Sequence, residues 1–398
     1  MLKWIKNIGP GTLIAAAFIG PGTVTVCTIA GAQFGFSLLW AMLLSIVATI
    51  VLQEMAARVG IITQKELATI IKEQIPSPLI RNLAILLILG AVVVGNAAYE
   101  AGNISGAALG ISAIFDRSEV GLFPIVIGII AFVLLFIGNY KILERSLIIL
   151  VVIMSFSFIL TAIITKPDII QMMKGLLVPS MPDNSILVII GLIGTTVVPY
   201  NLFLHTALVK EKWKHERDLP LARKDIIISV VLGGVVSLSI MVAAASIKGE
   251  GIKNVVDLAK GLQPLYGNIA NYFLGIGLFA AGITSAITAP LAAAYVARGC
   301  FGWENSLKHL KFRLVWMIIL LLGVLFSLLN FKPIQIITFA QVANGLLLPV
   351  VALFLLWVVN KTVVLGVYKN KTFQNVMAAI IILIAILLGT KGIISALG

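Results

Sequence analysis

Charge is what this sequence has least of. Of its 398 residues 11% are charged and 60% hydrophobic, with a mean hydropathy of +1.11. A soluble domain is about a quarter charged, so too few charges exist here to cover a water-facing surface. A soluble globule, a secreted enzyme and a disordered chain are excluded. Cysteine is nearly absent as well: Cys27 and Cys300 lie far apart and neither has a CxxC partner. They read as packing residues, not as a disulfide or a metal site. Histidine occurs three times, and no HExxH, Walker loop or paired-carboxylate constellation is present. No catalytic residue is assigned, no cofactor is expected, and neither an enzyme nor an ATP-driven pump fits. The formal charge of +13 does not point to nucleic acid, because the basic residues are scattered between apolar runs.

Long apolar runs are what is there, and they read as an all-α polytopic membrane protein. A helix needs about 20 apolar residues to cross a bilayer. Eleven such runs lie near 9–34, 37–58, 82–109, 121–138, 144–165, 186–209, 225–247, 268–297, 312–330, 334–358 and 374–396. An outer-membrane barrel would show short alternating segments instead. Counting Lys and Arg over alternate connections puts 21 of the 29 on one side and 8 on the other. Cytoplasmic loops carry the excess, which sets the N-terminus in the cytoplasm and the C-terminus outside, in the cell (inner) membrane. The polar stretches are too short to bury a core, so residues 1–398 read as a single membrane transport domain in the lipid bilayer, with a monomer favoured.

Two runs are interrupted at their middles. Gly20-Pro21-Gly22-Thr23 breaks the first and Val198-Pro199-Tyr200-Asn201 the sixth. Proline lacks an N–H and clashes with the preceding turn, and hydrocarbon tolerates freed backbone groups only where protein or a water-filled cavity receives them. One such proline reads as a kink. Two, five spans apart, form the pattern of a 5+5 inverted repeat with a substrate site between discontinuous helices 1 and 6. Repeat one covers about 9–165, repeat two about 186–358, and the helix at about 374–396 is an addition.

Around these breaks the sequence resembles a family. Gly20 to Thr23 followed by Ala30-Gly31-Ala32-Gln33-Phe34-Gly35 is similar to the first-helix signature of the NRAMP divalent-metal transporters. Gly194 to His205 (GTTVVPYNLFLH) resembles their sixth-helix signature, and Gln53 to Gly60 and Gln341 to Pro349 match further segments. The resemblance implies a LeuT-like fold and alternating-access metal-ion transport, by a divergent prokaryotic-type member. The departures fall on the ligands. The family's metal-binding Asp, Asn and Met correspond here to Gly20, Thr23 and Val198, and the His after the second proline is Tyr200. Pro21, Gly22, Pro199, Asn201, His205 and Gln341 are retained, so the scaffold is kept and the metal ligands are left unknown.

Of the acidic residues only Glu100 falls at mid-span, sharing a helix face with Asn96 and Asn103. An intramembrane carboxylate is by default a functional hypothesis. Its position resembles a glutamate of the family's proton pathway, although an acidic neighbour there is Ala97 here. Glu100 and His205 are therefore the candidate proton or charge relay, with protons as the candidate coupling ion. Three readings of the substrate stay open. A hydrated divalent cation such as Mg²⁺ or Mn²⁺ would meet Thr23, Thr195, Asn201, Gln341 and the freed carbonyls of Ala17 and Thr195, with Gly20, Gly22, Val198 and Tyr200 shaping the site. A small organic solute, perhaps a carboxylate, would use the exposed helix N-terminus near Gly22–Thr25. The third reading is a sensor that no longer transports.

Overall fold

The computed structural model describes residues 19–115, 117, 120–138, 141–247, 252, 255–303, 309–329 and 331–397. The first apolar run is thus described from Ile19 onward, and residues 9–18, Ala17 among them, lie outside the described residues. From there α1 spans Pro21–Phe34, α2 Leu39–Thr63, α3 Leu67–Gln74, α4 Pro78–Leu89 and α5 Gly95–Ile114, the last two joined by a π-helical turn at Gly90–Val94. The chain continues through α6 Phe123–Ile137, α7 Lys141–Ile164, α8 Ile169–Leu177, α9 Ile186–Thr196, α10 Pro199–Lys212 and α11 Leu219–Ala244. It ends with α12 Ala270–Phe301, α13 Leu310–Ser327, α14 Pro333–Val359 and α15 Thr372–Leu397. Among the described residues eight helical segments are long and apolar enough to cross a bilayer, and Phe123–Ile137 and Ile148–Ile164 are shorter apolar helices. The count of eleven spans remains an expectation.

The run edges agree with these helices to within a few residues, and the larger differences have causes. The seventh run was expected from 225, yet α11 begins at Leu219 with Pro220 in its first turn. Its polar first turns, through Arg223 and Lys224, continue the helix beyond the apolar stretch instead of ending it. Helix α8 was not anticipated. Asp168 caps it, its carboxylate accepting from the N–H groups of Ile170 (2.9 Å) and Gln171 (3.1 Å), a start signal that was present in the sequence.

Helix α5 is the centre of the bundle. It packs most extensively on α12 and then on α14 and α13. Small residues permit the approach, as in membrane helix pairs where backbones meet closely. Gly106 lies against the ring of Pro21 in α1, and Gly282 of α12 lies against Ala107. Apolar side chains on outer faces, such as Leu86, Ile129 and Leu387, are exposed, as they should be where hydrocarbon replaces water as the solvent.

A methyl group added at Gly110 would stand 2.5 Å from the Gly275 carbonyl oxygen and 2.6 Å from the Phe279 nitrogen. Backbone cannot yield cheaply there, so Gly110→Ala should cost about 1–3 kcal/mol. Gly90→Ala, with nothing within 4 Å of the added carbon, should be neutral. Thermal unfolding of the purified variants in detergent checks this; equal midpoints would show the α5–α12 contact to be looser than described.

Candidate functional site

Proline alone does not break helices here. Pro290 and Pro349 lie inside continuous α12 and α14, whereas Pro21 and Pro199 each begin a helix. The residues just before them decide the difference. Gly20 is extended (φ −103°, ψ −175°), and before Pro199 the backbone opens at Val197 (φ −97°, ψ 71°) and Val198 (φ −73°, ψ 120°). Neither Gly20 nor Val198 provides a side-chain cap, so both helix starts present backbone N–H groups. The carbonyl of Thr195 has lost its usual helical donor, since the residue four positions on is Pro199.

The start of α1 and the end of α9 meet. The hydroxyls of Thr23 and Thr195 lie 2.7 Å apart in a buried hydrogen bond. Gln341 of α14 closes the third side: its side-chain amide lies on Gly22, where an added carbon would overlap it, and its backbone carbonyl lies against Gly194. The Gln341 Oε1 atom and both amide atoms of Asn201 are buried without a hydrogen-bond partner. Buried polar groups are nearly always paired, so this concentration of unpaired ones marks a place where something else supplies the partner. Gly20, Val198 and Tyr200 are buried beside them, and Tyr200 meets Tyr99 of α5 edge-on with ring centroids 5.5 Å apart.

Expected site residues are not all brought together. Glu100 is fully buried, but its side chain packs on Gly323 of α13 and one oxygen accepts from the Asn103 amide at 3.3 Å. Its other oxygen is unpaired. Asn96, from the same expected face, instead donates to the Ala289 carbonyl at 2.8 Å. His205 lies one and a half turns below the second break, and its Nδ1 donates to Gln53 Oε1 of α2 at 2.7 Å, leaving Nε2 unpaired. Gln53 and Asn344, whose Nδ2 is also unpaired, were given no role in the sequence reading. Both nevertheless lie in segments it had singled out, Gln53–Gly60 and Gln341–Pro349. Among the described residues no group of three or more His, Cys, Asp or Glu side chains is placed to hold a metal ion.

A family model described as natural resistance-associated macrophage protein-like matches residues 11–395. The chain belongs to that family. A divalent metal cation transporter MntH of Yersinia pestis is 29% identical over 99% of this chain and 96% of its own length. A metal transporter nramp1 homolog of Dictyostelium discoideum is 32% identical, covering 75% of this chain and 58% of its own length. Among solved structures, a manganese transporter of Eremococcus coleocola matches with a TM-score of 0.80 at 20% identity, over 98% of this chain and 87% of that one. MhsT, solved in complex with L-phenylalanine, matches at 0.61 and 18% identity, over 96% and 98% of the two chains. The fold is LeuT-like, and this NRAMP-family chain is a multi-pass membrane transporter, not an enzyme.

Removing one hydroxyl of the Thr23–Thr195 pair leaves the other without that partner, whereas removing both leaves neither half of that bond unsatisfied. Thr23→Val and Thr195→Val should each destabilise the NRAMP-family protein by about 1–2 kcal/mol. The double variant should cost less than the sum of the two. A thermal-stability cycle measures this; strict additivity would mean the hydroxyls do not couple.

Proposed function

We propose that this protein transports a divalent cation that keeps part of its water shell while it passes between the two helix breaks. One observation carries the proposal: the neutral oxygen and amide groups of Thr23, Thr195, Asn201 and Gln341 gather where the breaks meet, with Gly20 and Val198 in place of a carboxylate and a thioether. Thioether ligands favour soft metals, and a carboxylate compensates a dication for lost water. Neither is offered at Gly20 or Val198. Mg²⁺ dehydrates reluctantly and usually retains several waters, and Mn²⁺ also accepts an oxygen shell. The Thr195 hydroxyl keeps acceptor capacity beyond the Thr23–Thr195 bond, so a water of the ion's shell can bond there without undoing it. The relatives named as divalent metal and manganese transporters support a cation over an organic solute.

The same reading gives Glu100 the counter-charge and His205, with Gln53, a proton relay, so that protons are the coupling ion. It also retains two repeats at about 9–165 and 186–358 in one membrane domain, a cytoplasmic N-terminus, an extracytoplasmic C-terminus and a monomer.

Uptake into proteoliposomes tests the proposal. Mg²⁺ and Mn²⁺ should both enter, and Cd²⁺, a softer ion, should compete poorly. Glu100→Gln keeps the shape and hydrogen-bonding capacity but removes the counter-charge, and it should slow cation entry at least about tenfold, the effect of about 1.4 kcal/mol. Entry of a small carboxylate without a cation, or Cd²⁺ outcompeting Mg²⁺, would overturn the assignment. Unchanged rates in the Glu100 variant would remove that residue from the mechanism.

A further inference from the structure

A second polar site lies away from the helix breaks, at the ends of helices that carry the excess of basic residues. A cleft of about 560 Å³ opens between α2, the start of α11 and the segment leading into α15. Arg58, Arg223, Lys369 and Lys371 line it with a single acidic residue, Glu54. Arg58 is 2% exposed, an unusual degree of burial for an arginine. Its Nη1 donates to the Tyr368 carbonyl at 2.9 Å and its Nη2 to Asn370 Oδ1 at 2.6 Å, tying the 366–370 turn to α2. Glu54 joins both arginines, at 3.1 Å to Arg58 Nη2 and 2.8 Å to Arg223 Nη2. One carboxylate is thus shared by two of the four cationic side chains that line the cleft, and Arg58 Nε is buried with no partner. Arg223, by contrast, is 44% exposed, and its guanidinium is well suited to phosphate.

The other half of the cleft is apolar. Ile50, Val51 and Met377 line it, and Phe373 and Val367 at its rim are 75% and 89% exposed. A free inorganic anion would have no use for that half. A molecule with a phosphate at one end and hydrocarbon at the other matches both.

We propose that this cleft binds the headgroup of an anionic phospholipid, with the phosphate on Arg223, Lys369 and Lys371 and the first carbons of the acyl chains against Ile50, Met377 and Phe373. Basic pockets between membrane helices at the cytoplasmic face are suited to such headgroups. Arg58 acts as the positioning residue: it fixes the turn that carries Lys369 and brings Lys371 to the rim. Glu54 competes with the lipid for Arg223 and so weakens it.

Native mass spectrometry of the intact protein, with phosphatidylglycerol titrated against phosphatidylcholine and against inorganic phosphate, tests this. Phosphatidylglycerol should be retained at least about tenfold more strongly than phosphatidylcholine, and phosphate should displace it only weakly. In Arg223→Gln/Lys369→Gln/Lys371→Gln the preference should vanish, since each basic group near an anionic lipid counts for roughly fivefold. Glu54→Gln, which removes the competitor, should tighten binding about threefold to fivefold and gives a second reading should the triple variant fold poorly. Equal retention of the two lipids, or a preference that survives the triple variant and is unmoved by Glu54→Gln, would overturn the proposal. Strong binding of inorganic phosphate with no lipid preference would assign the cleft to a soluble anion and likewise overturn it.

Discussion

The start of α1 and the end of α9 both close on Gln341. Its side-chain amide rests on Gly22, just inside the first break, and its backbone carbonyl rests on Gly194, just before the second. The approach is feasible only because neither position carries a side chain. It draws α1, α9 and α14 together closely enough for the Thr23 and Thr195 hydroxyls to bond at 2.7 Å. The buried unpaired amides of Gln341 and Asn201 gather around that seat.

The architecture was largely legible in the sequence, because a bilayer imposes a length on every crossing helix and forbids loose backbone within it. The sixth run and α10 begin and break where Pro199 predicts, and α14 fills the tenth run almost to the residue. What was not legible came from packing. Pro290 and Pro349 leave their helices continuous, so the unwinding at Pro199 depends on Val197 leaving the helical region and Val198 adopting extended backbone, which no composition rule announces. The pairing of His205 with Gln53 joins residues 152 positions apart. The spacing of Asn96, Glu100 and Asn103 suggests one shared face, and Asn103 does bond Glu100 at 3.3 Å, while Asn96 turns to α12 and Glu100 packs on Gly323 of α13. Helical spacing sets direction only to within the width of a side chain, and the neighbours choose among the rest.

Several carboxylates near helix ends are paired with cations: Glu54 with Arg58 and Arg223, Glu66 with Lys210 and Arg298, Glu73 with Lys65. Glu100, inside the bundle, is paired only with an amide. A family scaffold has thus been kept around a site whose own groups at the breaks are neutral. In the proposed reading, a dication entering such a site loses less by keeping its water than by exchanging it for hydroxyls and amides, with Glu100 of α5 as its counter-charge.

The most direct measurement is an anomalous-scattering map of the protein loaded with Mn²⁺. The account predicts a peak between Thr23, Thr195, Asn201 and Gln341 at which waters, not protein atoms, make up most of the ligands at about 2.0–2.4 Å. A peak whose shell is filled by protein atoms at that distance, or one located elsewhere in the bundle, would contradict it.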